Sequence, residues 1–270
     1  MKRIAVIPNY IKDVDKTYTK QLCKYLAGKA EVIMHQKDFC EEISAKFYDG
    51  DIYDGTDAVI ILGGDGTILQ AAEPCGKNKI PVMGINLGRV GFMTEVETDD
   101  MEAACDRLLS DDFKVVERMM MEVSFGGKSY IALNDVVVSK KDATMIDMEL
   151  YADAEEVSEY TSDGVIIATP TGSTGYSLSA GGPVADPEMK VFIATPICAH
   201  TLSARPILMS ENKEIILKLT KGGSALVTVD GRSKGAIDAG DVVTIKKSAH
   251  MLKIIKLGKK SFYHTMMAKL

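Results

Sequence analysis

Apolar and polar positions follow two rhythms along the chain. In the first hundred residues, short continuous apolar runs alternate with longer amphipathic stretches. Val59 to Leu62 is a β-branched run with no polar interruption, the pattern of a strand buried on both faces of a parallel sheet. Similar runs predict strands over Arg3 to Pro8, Glu31 to His35, Ala58 to Leu62 and Ile80 to Asn86. The stretches between them predict helices over Val14 to Gly28, Phe39 to Tyr48 and about Ile68 to Cys75. Thr98 to Ser110 predicts another helix, with Thr98 as its cap. Such alternation implies right-handed crossovers and a doubly wound parallel sheet, an α/β fold.

From Phe113 the rhythm changes. Strand-like segments follow one another at 114–125, 130–139, 145–151, 165–168, 215–219, 225–229, 242–246 and 252–255. Gly126-Gly127 and Gly222-Gly223 read as hairpin-like turns. The expected organisation is an α/β domain over 1–99 and a mostly β domain over 100–255, with the boundary near 99–113. Residues 256–270, including a weakly patterned helix over Ser261 to Leu270, are expected to pack back on the first domain.

Composition narrows the classes. Hydrophobic residues are 46% and charged residues 26%, the balance of an ordinary soluble globular chain. A net charge of −6 argues against a general nucleic-acid or membrane binder, so a phosphorylated ligand needs local neutralisation. The five cysteines form no C-x-x-C pair and read as reduced thiols of a cytoplasmic protein. The four histidines lack zinc-site spacing, and the lone His200 reads as structural. The apolar run at the N-terminus is too short for a signal peptide, and no window is long enough to span a membrane. Fifteen methionines, Met119 to Met121 among them, read as core filler.

The candidate chemistry begins where the 59–62 run stops, at Gly63-Gly64-Asp65-Gly66-Thr67. Two glycines let the chain turn sharply and let a ligand approach the backbone N–H groups. Asp65 and Thr67 stand where the next helix begins, at the strand's carboxyl edge, where open α/β sheets bind phosphates. A carboxylate there repels phosphate unless it has a task. It could take a proton from an attacking hydroxyl, hold a magnesium ion, or simply cap the helix. Farther on, Thr161 to Pro183 couples a buried strand to a run dense in Gly, Ser and Thr, suited to wrapping a ribose or a phosphate chain. Asn134-Asp135 places two polar side chains beside apolar sequence, as a ligand contact or as a strand entry.

These motifs together, with L-G-R-V-G-F-M-T-E at 87–95, T-P-I-C-A-H-T-L-S-A-R-P at 195–206 and V-D-G at 229–231, resemble the NAD kinase family across about 58–231. The resemblance implies magnesium-dependent phosphoryl transfer from ATP to the 2′-hydroxyl of the adenosine ribose of NAD. Asp65 is then the proton acceptor, Gly66 lines the NAD site beside it, and Gly64 and Thr67 belong to the same nucleotide-binding turn. Asn134, Asp135 and Asp163 match NAD contacts, Thr174, Gly175, Tyr176, Ser177, Leu178 and Ser179 match the dinucleotide pocket, and Asp230 matches a stretch near it. A homodimer or homotetramer is implied, with no dedicated protein cage for the metal. Thr161, Gly175 and Ala199 stand where relatives often carry a basic residue, alanine and proline, and Arg232 stands where some carry a glutamine that contacts ligand. Inorganic polyphosphate stays open as the donor, and a lipid or sugar kinase and a silent NAD(P)-sensing module stay open as readings.

Overall fold

A computed structural model of the chain describes residues 2–35, 45–48, 50–88, 91–200, 204–258 and 261–269. Two compact units emerge, Met1–Glu117 with Met251–Leu270, and Arg118–His250.

The first unit is built on a parallel sheet. Its strands lie in the order Val82–Asn86, Ala58–Gly63, Arg3–Pro8, Glu31–Met34, Lys46–Phe47, with every neighbouring pair parallel. Ile254, near the end of the long strand Val242–Lys256, pairs in parallel with Val82 at the other edge. Ala58–Gly63 is buried at every position, as its unbroken apolar run demands. The helices Thr17–Leu26 and Met101–Leu109 bury Leu22, Leu26, Met101, Ala104, Cys105 and Leu108 in one core with Ile4, Val6, Ile60 and Leu62.

Helix Met101–Leu109 is the reason the compact units divide at 117/118 and not at the expected 99/100: its apolar face belongs to the core of the first unit. Thr98 opens a short 3-10 turn before that helix and makes no cap hydrogen bond. The first helix starts at Thr17 and not at Val14, because Lys16 is left-handed and buried Asp13 takes the amides of Tyr18 at 3.2 Å and Thr19 at 2.9 Å. Most of the helix expected over Phe39 to Tyr48 lies outside the described residues; within it, Lys46–Phe47 is a short strand. At the chain's end, helix Phe262–Lys269 brings Phe262 to 5.7 Å, centroid to centroid, from Phe92.

The second unit is mostly β. Its central antiparallel sheet runs Ile207–Ser210, Val191–Ile197, Gly164–Ala168, Asp135–Lys140, Ala225–Val229, Arg232–Ile237. A second antiparallel set runs Glu155–Ser162, Ile146–Ala152, Ile215–Lys221, Val242–Lys256. Gly126-Gly127 does turn a hairpin, between Lys114–Phe125 and Lys128–Ala132. Gly222-Gly223 does not, because the strands on either side of it enter different sheets. The expected single strand over 130–139 is likewise split between two sheets at Leu133-Asn134, and 242–246 and 252–255 fuse into one strand.

Candidate active site

Two groups of residues carry the chemistry, one in each unit. In the first, the strand Ala58–Gly63 hands over at Gly64 to a helix that starts with Asp65 and runs to Lys77. Gly64 is the N-cap in extended geometry and no side chain caps the helix, so Asp65 is not a cap. Its carboxylate instead reaches the turn after Val82–Asn86. Oδ2 accepts the Phe92 amide at 2.8 Å, and Oδ1 accepts those of Met93 at 3.1 Å and Thr94 at 3.2 Å. A Cβ on Gly91 would collide with Asp65 Oδ1, which explains glycine there. The 63–67 and 87–95 motifs are therefore one device, one giving the carboxylate and the other the amides that aim it. An ionised carboxyl offers about four lone-pair sites, and Oδ2 spends one here, so it can still accept a hydroxyl proton.

Thr67 is buried, and its hydroxyl accepts Asn9 Nδ2 at 3.0 Å, tying the glycine turn to the end of Arg3–Pro8. The Thr67 amide is spent on Gly64 O at 2.9 Å, whereas Gly66 is exposed. Sequence reasoning passed over Asn9. Its signal was a polar residue just beyond the first strand's carboxyl end.

In the second unit, Asn134 and Asp135 stand at the entry to Asp135–Lys140. Asp230, in the tight turn between Ala225–Val229 and Arg232–Ile237, accepts the amides of Leu133 at 2.8 Å, Asn134 at 2.8 Å and Asp135 at 3.1 Å. The Asp230 amide returns to Asp135 O at 3.0 Å. The run after Gly164–Ala168 folds over the same place. Thr169 donates its amide to Asn134 O at 2.8 Å and its hydroxyl to Leu133 O at 2.5 Å, and a Cβ on Gly172 would strike the Asn134 backbone. That run is no open loop; it forms a 3-10 turn over Thr171–Thr174 and a short helix over Tyr176–Ser179.

Two side-chain oxygens in this part of the unit lack hydrogen-bond partners. Asn134 Oδ1 and Thr171 Oγ1 are buried and accept nothing among the described residues. Asp135 is 6% exposed, and burial, with the Asp230 charge adding, pushes its carboxyl up to about 7. Burial also raises the Asp230 carboxyl, against the three amides that lower it. Thr174, Gly175 and Leu178 are half-buried, while Tyr176 and Ser179 are exposed. Buried Ser177 pairs its hydroxyl with Thr195 Oγ1 at 2.9 Å, which leaves it a framework role. Asp163 does not join the group. It precedes Gly164–Ala168, while Ala168 at the far end pairs with Asp135, about 16 Å away at the usual strand rise. Its carboxylate forms an ion pair with Lys140 at 2.6 Å. His200 is exposed, and its amide donates to Thr161 O at 2.9 Å. Among the described residues no three His, Cys, Asp or Glu side chains converge as a metal cage.

Two family models match the chain, the ATP-NAD kinase N-terminal domain over residues 4–113 and the ATP-NAD kinase C-terminal domain over 133–257. The chain belongs to the NAD kinase family. An NAD kinase of Caldicellulosiruptor saccharolyticus is 35% identical over 99% of this chain and 98% of its own length. One from Heliobacterium modesticaldum is 42% identical over 79% of this chain and 78% of its own. Among solved structures, yeast NADH kinase complexed with NADH aligns at a TM-score of 0.88 and 25% identity, covering 99% of this chain and 86% of the yeast chain. An Archaeoglobus fulgidus NAD kinase in complex with ATP aligns at 0.75 and 28% identity, covering 99% and 98%. In this member of the NAD kinase family, Asp65 falls in the part matched by the N-terminal model, and Asn134, Asp135 and Asp230 in the part matched by the C-terminal one.

Proposed function

We infer that this protein transfers the γ-phosphoryl group of ATP to the 2′-hydroxyl of the adenosine ribose of NAD, giving NADP, with Asp65 as general base. The observation that carries the reading is the Asp65 carboxylate, fixed by the 92–94 amides with acceptor capacity left on Oδ2. Phosphoryl transfer asks a protein for alignment and charge stabilisation more than for covalent chemistry. Asp65 orients the hydroxyl and takes its proton, Gly66 lines the NAD site beside it, and Gly64 and Thr67 belong to the turn on which the donor phosphates rest. The unsatisfied Asn134 and Thr171 oxygens, together with Asp135, bind the hydroxyl and amino donors of NAD, and Thr174 to Ser179 wall its site. Asp163 serves a remote part of the dinucleotide.

Magnesium suits this donor set as a cation carried on the ATP phosphates, since Mg²⁺ is usually held by one or two carboxylates plus substrate oxygens. Bound there, the metal would ride on the ATP phosphates and neutralise their charge, while Asp65 keeps its free Oδ2 acceptor for the hydroxyl. We place the protein in the cytoplasm as a homodimer or homotetramer; the four described cysteines are free thiols, and no described helix is long and apolar enough to cross a membrane.

The test is NADP formation from NAD, ATP and magnesium, read through an NADP-specific dehydrogenase. Product with ATP supports the reading, and product only with inorganic polyphosphate changes the donor. Tight NAD binding with no product from either donor would establish the sensing module instead.

A further inference from the structure

We propose that Lys12 binds the phosphate chain of the nucleotide donor, an assignment that rests on the kinase reading above. In the first unit, Arg3–Pro8 is flanked by Glu31–Met34 on one side and Ala58–Gly63 on the other, so strand order reverses between Arg3–Pro8 and Ala58–Gly63. Ligands of open α/β sheets bind outside the carboxyl ends of the strands at such a switch point. Those two ends carry residues 9–13 and 63–67.

Lys12 brings a cation to that place. Its Nζ lies 2.9 Å from where a Cβ of Gly64 would stand and 3.5 Å from that of Gly88, so it hangs over two side-chain-free positions of the nucleotide motifs. The segment presenting it is fixed at both ends. Asn9 donates its amide to Leu62 O at 2.7 Å and its Nδ2 to Thr67 Oγ1 at 3.0 Å, and Asn9 O accepts the Lys12 amide at 3.0 Å and the Asp13 amide at 2.9 Å. Asp13 is in turn locked to the first helix through Tyr18 and Thr19. Elsewhere in this unit the lysines commonly pair with carboxylates, Lys29 with Asp106, Lys46 with Glu31, Lys77 with Glu73 and Lys256 with Glu95. Among the described residues Lys12 has no such ion pair.

The charge balance calls for this cation. The helix that starts at Asp65 presents about half a positive charge at its N-terminus, and the Asp65 carboxylate outweighs it. A polyphosphate resting there needs an added positive charge, and a lysine ammonium is a compact one suited to phosphate. The chain holds no Walker lysine, so Lys12 supplies from a neighbouring strand end what a P-loop carries within its own motif.

Lys12→Met keeps the length of the stem and removes the charge. Calorimetric titration of the full-length protein with magnesium ATP, with inorganic tripolyphosphate and separately with NAD is the test, alongside steady-state kinetics. Expected are about 10- to 100-fold weaker tripolyphosphate binding and a matching rise in KM for ATP, as for loss of one charge-assisted contact. NAD affinity should stay within about twofold, Lys12→Arg should restore most of the loss, and the wild-type advantage should shrink as salt is added. Unchanged tripolyphosphate affinity in Lys12→Met overturns the assignment. So does equal loss of NAD and donor binding with a lowered Tm, which marks a structural role. Wild-type protein that binds tripolyphosphate but makes no NADP sinks the kinase reading separately.

Discussion

Replacing Asp135 by asparagine should make the protein more stable at alkaline pH and leave it nearly unchanged in acid. Asp135 is 6% exposed, and burial with the nearby Asp230 charge pushes its carboxyl up to about 7, against roughly 3.9 in an unfolded chain. Below about pH 4 both states hold the proton and the residue adds no pH dependence. Between pH 4 and 7 the folded state keeps a proton that the unfolded state has released, so stability falls as pH rises, by about 1.4 kcal/mol per unit. Near pH 7 and above the accumulated cost levels off at about 4 kcal/mol. Asparagine keeps the shape without the charge. Thermal unfolding of both proteins from pH 4 to 9 should give a difference in Tm that grows from near zero to the order of 10 °C. A difference that is flat with pH, or that favours the wild type at pH 8, would refute the account of this carboxyl. The same variant should bind NAD more weakly at pH 8, where the wild-type carboxylate accepts from the ligand.

Other changes test the framework. Gly91→Ala puts a methyl onto Asp65 Oδ1, and displacing the base by about an ångström should lower turnover about 100-fold while NAD binding persists; full activity would detach the 91–94 turn from the chemistry. Asp230→Ala strands three amides, and urea unfolding should show a loss of at least about 3 kcal/mol, with Asp230→Asn losing less; an alanine variant as stable as the wild type would contradict the cluster's role.

The fold was legible where burial on both faces forces an uninterrupted apolar run. Ala58–Gly63 and Val82–Asn86 read directly as parallel strands. Glu155–Ser162 did not, because it is a polar edge strand whose one large buried side chain is Tyr160. Lys246-Lys247-Ser248 interrupts the apolar alternation of Val242–Lys256 without interrupting the strand, so one element looked like two. Thr171 to Ser179 gave no period because short turns of helix need none.

In the site, residue types were legible and partners were not. Asp65 stood out as a carboxylate in a phosphate-type turn, but its partners are backbone amides 27 to 29 residues away, which leave no mark in side-chain sequence. Asp230 reaches Asn134 across 96 residues, because antiparallel register sets Val229 opposite Val136. Lys12 looked like any surface lysine until strand order put it beside Gly64.

The proposed reaction turns on one step, transfer of the 2′-hydroxyl proton to the Asp65 carboxylate. Single-turnover formation of NADP by wild type and Asp65→Asn, with NAD affinity measured on both, addresses it most directly. The rate in the variant should be at least about 100-fold lower, with NAD still bound. A modest drop in Tm should accompany it, since asparagine cannot accept all three amides. A folded Asp65→Asn protein that forms NADP at a near wild-type rate would contradict the claim and leave Asp65 only the task of holding residues 92–94.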